Sequence, residues 1–261
     1  MNHVNQTLYI PLYGKAYVSR KGLFLHDPKA VEIWEAEGFP LKGKSKSKWL
    51  AYYMGIRSAV FDEWLKQQLS KESDAVVIHL GCGMDSRILR VGTNGHRWYD
   101  VDFPEVIAER KRYFREEDDY QMLASDIRDL RWLDAVSGAT HAIVVMEGVS
   151  MYLNNRELGD LMTALSDRFE SIRLLMDCYT TLAAKLSKRA NPVNDVGVTQ
   201  VYGLDDPQLC QQPPLLYAKE HELTPRRYIE NLRGIEKVIF SRLYAGKLSK
   251  KLYRLFEYRK N

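Results

Sequence analysis

The stretch Ala75-Val76-Val77-Ile78-His79-Leu80-Gly81-Cys82-Gly83-Met84-Asp85-Ser86-Arg87-Ile88-Leu89-Arg90 decides the fold. Its apolar, β-branched run lacks polar alternation, as expected of a strand buried on both faces. Gly81 and Gly83 end it in a tight turn from which Asp85 or Ser86 can start a helix. Glycines let a ligand approach backbone that a Cβ would block, and the first turn of a helix offers free N–H groups to polar atoms. A plain strand-to-helix turn has the same signature, so the flanking sequence has to separate the two.

Trp98-Tyr99-Asp100-Val101-Asp102 predicts a second strand, with Asp102 at its carboxyl end, 21 positions after Gly81. In a doubly wound sheet this carboxylate stands beside the glycine turn, where it can accept hydrogen bonds from both hydroxyls of a ribose. Position 86 is Ser where a dinucleotide fingerprint has its third glycine. A pyrophosphate would be poorly cradled, which favours a ribose-bearing ligand without phosphates, and S-adenosylmethionine answers to that description.

From residue 75 onward the pattern alternates. A helix over 85–92 follows the first strand, and another from Pro104 to about Glu117 follows the second, with Pro and Glu105 in its first turn. Then come strands at Tyr120–Ala124 and His141–Glu147, a helix from Asn154 to Phe169, a strand at Ile172–Asp177 and a helix at about Thr181–Arg189. Alternation of this kind implies right-handed crossovers and a mainly parallel sheet. Residues 224–233 read as helix, and Val238–Leu243 and Lys251–Arg259 as two closing strands joined around Gly246, which should run antiparallel. The expected fold is an α/β sheet of seven strands, Rossmann-like, with one strand reversed.

Upstream, residues 1–72 predict an N-terminal helical cap. Asp27-Pro28 opens a helix that Gly38-Phe39-Pro40 stops, and a longer amphipathic helix runs from about Ser47 to Leu69. Tyr52, Ile56, Val60 and Trp64 approximate the stripe of a packed face, with Arg57 close to it; a surface salt bridge would explain Arg57 equally well. Residues 73–261 form the ligand-binding domain, interrupted by Asn191–Glu220, a proline-bearing excursion with scattered apolar residues. A loop of such length inside a compact domain reads as a lid, placed at 191–222, or as a surface excursion.

At 261 residues, 45% apolar and 28% charged, the chain has the composition of an ordinary globular protein with a substantial core. A net charge of +4 and short basic runs at Lys42–Lys48 and Lys247–Lys251 do not make a nucleic-acid footprint, so no nucleic-acid partner is expected. The N-terminus lacks the pattern of a signal peptide and no segment approaches a membrane span, so a cytoplasmic protein without a membrane partner is expected. The three cysteines, Cys82, Cys178 and Cys210, are odd in number and widely spaced, which argues against a disulfide framework and against a metal site.

Four motifs in order, Leu80-Gly81-Cys82-Gly83-Met84-Asp85, Tyr99-Asp100-Val101-Asp102-Phe103-Pro104, Ser125-Asp126-Ile127-Arg128-Asp129-Leu130 and Glu147-Gly148-Val149-Ser150-Met151-Tyr152-Leu153, resemble the leucine carboxyl methyltransferase family. That family of class I S-adenosylmethionine-dependent methyltransferases takes in bacterial O-methyltransferases similar to those of tetracenomycin polyketide synthesis. The resemblance covers about residues 12–180 and implies roles for individual residues. Lys15 and Arg57 match cationic contacts to the methionine carboxylate of the cofactor, and Gly81 and Gly83 its binding loop. Asp102 matches the ribose ligand, Asp126 and Ile127 the pair flanking adenine, and Glu147 a further contact, with the ammonium as its partner. The charges agree, because the cofactor's carboxylate needs cations while its diol and ammonium need acids.

The expected activity is methyl transfer from S-adenosylmethionine to a carboxylate or hydroxyl oxygen of a small, polyketide-like acceptor. A protein C-terminal carboxylate is the alternative acceptor. A non-catalytic cofactor-binding module and an NAD-dependent oxidoreductase are the alternative readings. A hydroxyl acceptor calls for a base, for which His221 is the candidate.

Overall fold

A computed structural model describes residues 7–41, 43–190 and 200–261, with the side chains of 188–190 excepted. Three helices precede the sheet: α1 (Tyr9–Arg20), α2 (Pro28–Glu37) and α3 (Lys48–Leu69). Asp27 caps α2 by accepting the Ala30 N–H, and Gly38 ends it in the left-handed conformation, as the Asp-Pro and Gly-Phe-Pro signals predict. Helix α1 had no counterpart in the sequence reading. It crosses α3 closely, since a Cβ on Gly14 would lie 2.8 Å from Met54 Cβ and one on Gly55 2.7 Å from Val18 Cγ2. Lys15 and Arg57 follow these two glycines in the chain.

The sheet strands are β1 (Ala75–Leu80), β2 (Trp98–Asp102), β3 (Tyr120–Ala124), β4 (His141–Met146), β5 (Ser171–Tyr179), β6 (Leu216–His221) and β7 (Tyr253–Lys260). Their order is β3-β2-β1-β4-β5-β7-β6, with β7 antiparallel to both neighbours and the other pairs parallel. The short helices α4 (Arg87–Val91) and α5 (Pro104–Arg110) connect β1, β2 and β3, and α6 (Asn155–Arg168) and α7 (Thr181–Ala190) flank β5. Side chains alternate across β1: Ala75 and Val77 join the core shared with α1–α3, while Val76, Ile78 and Leu80 join that under α6. Burying both faces is what its mostly apolar run, interrupted by His79 alone, requires.

Two expectations at the carboxyl end are corrected. Val238–Leu243 is not a strand but part of α9 (Gly234–Leu243), which follows the single turn α8 (Arg226–Ile229). Glu236 and Phe240, four residues apart, share the face turned to α3. Glu236 accepts from Lys48 Nζ at 2.8 Å and from the Tyr52 hydroxyl at 2.9 Å, and Phe240 is fully buried against Tyr52. A helical period serves both contacts; an extended chain would separate them. The sixth strand is instead β6, inside the segment expected to be a lid, and it reaches β7 through α8, α9 and α10 (Gly246–Lys250) rather than a tight turn. As a bulged edge strand carrying Lys219 and Glu220 it lacks the apolar alternation of an interior one. Residues 191–199 of the expected lid lie outside the described residues.

Candidate active site

The carboxyl ends of β1, β2 and β4 and the turn after β3 border one cavity, roofed by α1 and α3. Lys15, Arg57, Gly81, Gly83, Asp102, Asp126, Ile127 and Glu147, the eight residues matched to the cofactor from the sequence, line it. The glycine turn is tight: Gly81 has φ +63° and a Cβ there would lie 2.2 Å from Val149 Cγ2, so this position excludes any side chain. Gly83 donates its N–H to Asp102 Oδ2 at 2.7 Å and Phe103 donates to Oδ1 at 2.8 Å. Burial outweighs these two hydrogen bonds and pushes the Asp102 carboxyl up to about 6.

Arg57 is buried, and the surface salt bridge considered for it does not occur. Its Nε donates to Glu147 Oε1 at 3.0 Å and its Nη1 to the Tyr253 hydroxyl at 2.9 Å, with Asp177 Oδ2 at 3.1 Å. Lys15 Nζ meets Asp85 Oδ2 at 2.7 Å. Burial opposes the charge on Glu147, yet Arg57, Arg87 and Lys15 together hold its carboxyl down to about 2. Asp85 is likewise kept well below the usual range, because Arg90, Lys15 and Arg87 outweigh its burial. Asp177, at the carboxyl half of β5, goes the other way: burial raises it to about 6 despite Arg57, Gly148 N–H and Tyr253.

Asp126 stands at the other end of the cavity, in an ion pair with Arg128, whose Nε lies 2.9 Å from Oδ1. Ile127 beside it is buried, and Met54, Met151, Tyr152, Tyr179 and Tyr253 form an apolar and aromatic wall. His221 is not brought to this cavity. Its Nε2 pairs with Glu257 of β7, which also accepts the Trp64 indole N–H at 3.2 Å. Residues the sequence reading did not assign include Asp85, Arg87, Asp177 and Tyr253. For Asp177 the signal existed, an acid ending a predicted strand as Asp102 and Glu147 do; for Arg87 there was none.

A sheet of this order with its seventh strand reversed, a glycine turn after β1 and an acid ending β2, defines a class I methyltransferase. The fold is shared with magnesium protoporphyrin IX methyltransferase from Synechocystis PCC 6803, solved with bound SAH, at a TM-score of 0.52 and 13% identity over 90% of this chain and 100% of that one. The chain belongs to the leucine carboxyl methyltransferase family, whose model matches residues 10–166. It is 27% identical to the tetracenomycin polyketide synthesis O-methyltransferase of Streptomyces glaucescens over 78% of this chain and 76% of the relative. It is also 27% identical to an S-adenosyl-L-methionine-dependent methyltransferase of Gibberella zeae over 63% and 60%. The protein is thus an enzyme, a methyltransferase whose cofactor is S-adenosylmethionine. No helix among the described residues is long and apolar enough to cross a membrane.

Proposed function

We propose that the enzyme methylates an oxygen, carboxylate or hydroxyl, of a small and partly aromatic acceptor of the polyketide kind, with the eight cavity residues holding the cofactor. The observation that carries this reading is their convergence: two cations, three acids and the glycine turn line one cavity at the strand ends, where open α/β sheets take their ligands. Lys15 and Arg57 receive the methionine carboxylate, Glu147 faces the ammonium, Asp102 accepts from the ribose diol, and Asp126 and Ile127 flank the adenine. Gly81 and Gly83 keep the backbone close enough for contact. Arg57 Nη2 makes no hydrogen bond among the described residues, which leaves donors for a carboxylate.

When bound, the cofactor supplies a methyl made electrophilic by its sulfonium; the protein aligns the acceptor oxygen behind that methyl and keeps the pocket dry. Tyr152, Tyr179, Tyr253, Met54 and Met151 suit the flat, apolar body of such an acceptor. Likeness to the tetracenomycin enzyme supports the same choice. A carboxylate acceptor arrives ionised and needs no base. The test is release of S-adenosylhomocysteine when the enzyme is offered S-adenosylmethionine with pools of aromatic carboxylic acids and phenols. Turnover on either pool supports the reading. Turnover only on a peptide carboxyl terminus, or cofactor binding without any release, rejects it.

A further inference from the structure

Around the cavity, charged side chains alternate in sign along one continuous path. Lys15 Nζ is 2.7 Å from Asp85 Oδ2, Asp85 Oδ2 is 3.4 Å from Arg87 Nη2, Arg87 Nη2 also bonds Glu147 Oε2, and Glu147 Oε1 is 3.0 Å from Arg57 Nε. The outer four members line the cavity, whereas the central one, Arg87, is fully buried behind them. Its remaining nitrogens are fixed as well: Nε donates to Asp62 Oδ1 at 2.8 Å and Nη1 to His79 Nε2 at 3.0 Å. Because a guanidinium only donates, His79 accepts on Nε2 and carries its proton on Nδ1, 3.3 Å from Asp100 Oδ1. This keeps the imidazole neutral, in keeping with the lowering of its pKa by burial.

We propose that Arg87 is a positioning residue for recognition of the cofactor's amino-acid end. As a rigid fork between two carboxylates it sets the separation of Asp85 and Glu147, and through them that of Lys15 and Arg57, so that a zwitterion meets two cations and two acids already in place. The inference rests on the cofactor reading above. The geometry favours Arg over Lys at this position, since three nitrogens in one plane serve four acceptors and an ammonium is a single point charge. The partners of Arg87 come from four places, Asp62 on α3, His79 on β1, Asp85 in the turn after β1 and Glu147 just beyond β4.

The test compares two ligands, S-adenosylhomocysteine and 5′-methylthioadenosine, which keeps the nucleoside and sulfur but lacks the amino acid. In Arg87→Lys, affinity for S-adenosylhomocysteine should fall by about tenfold or more, the scale of one lost charge-assisted hydrogen bond, while affinity for methylthioadenosine stays within about twofold. Asp62→Asn, outside the cavity, should shift the same ratio by about threefold and serves if the Lys variant does not fold. Equal losses for both ligands would reduce Arg87 to a structural residue and overturn the proposal, as would no loss for either. A wild-type enzyme that binds neither ligand refutes the cofactor-site reading instead, and this inference with it.

Discussion

Gly83 and Asp102 are joined across the first two strands of the sheet: the Gly83 N–H donates to Asp102 Oδ2 at 2.7 Å. The bond fixes the glycine turn against the acid that closes β2, so the two halves of the proposed ribose site are held together. It also directs the carboxylate's remaining lone pairs toward the cavity. Replacing Asp102 with Ala should therefore lower affinity for S-adenosylhomocysteine by roughly 10- to 100-fold, the value of one or two hydrogen bonds to a charged acceptor. Calorimetric titration alongside a thermal unfolding curve checks this. Near-unchanged affinity would remove Asp102 from the site.

Binding should also weaken in acid. The Asp102 carboxyl is raised to about 6 by burial, and under the proposed assignment a ribose diol would donate to its ionised form. As pH falls below about 6 the proton must be removed before the diol can bind, so affinity drops toward about tenfold per pH unit. Asp85 and Glu147 stay ionised throughout because their cations hold them low. Asp177 titrates in the same range, so the decline should persist in Asp177→Asn and vanish in Asp102→Asn.

Gly81→Ala should destabilise the turn and the site together. The position has φ +63°, and the new methyl meets Val149 Cγ2 at 2.2 Å, a clash on top of backbone strain of about 1–3 kcal/mol. Adding Val149→Ala relieves the clash and leaves the strain, so the double variant should recover part of the lost thermal stability. A single variant as stable as wild type would show that the turn is not held as described.

Much of this was legible from residues alone, and the reasons are local. β1 and β4 are mostly apolar because both faces are covered, each with a single histidine, and Asp102 and Glu147 announce themselves as acids at the carboxyl ends of predicted strands. β6 did not, being an edge strand whose Lys219 and Glu220 look like loop, and Val238–Leu243 of α9 looked like a strand because Val238-Ile239-Phe240 is a β-branched and aromatic run. Arg87 was illegible because its meaning lies in partners 25 and 60 positions away, Asp62 and Glu147. His221 drew notice as a titratable group near the expected lid, but its partner is Glu257, on the strand beside it.

That pairing gives a separable prediction. Glu257 is fully buried and accepts the Trp64 indole N–H, so Glu257→Ala leaves a buried donor unpaired and should cost about 1–3 kcal/mol in denaturant unfolding. Its affinity for S-adenosylhomocysteine should remain within about twofold of wild type, and His221→Ala should retain turnover. A His221 variant that binds cofactor normally yet no longer releases product would restore the histidine as a base.

The most direct test is a crystal structure of the enzyme soaked with S-adenosylhomocysteine. The ribose hydroxyls should lie on Asp102, the carboxylate at Lys15 and Arg57, and the adenine between Ile127 and the opposite wall. A nucleoside bound elsewhere, or bound in this cavity with its carboxylate turned away from Lys15 and Arg57, would contradict the account.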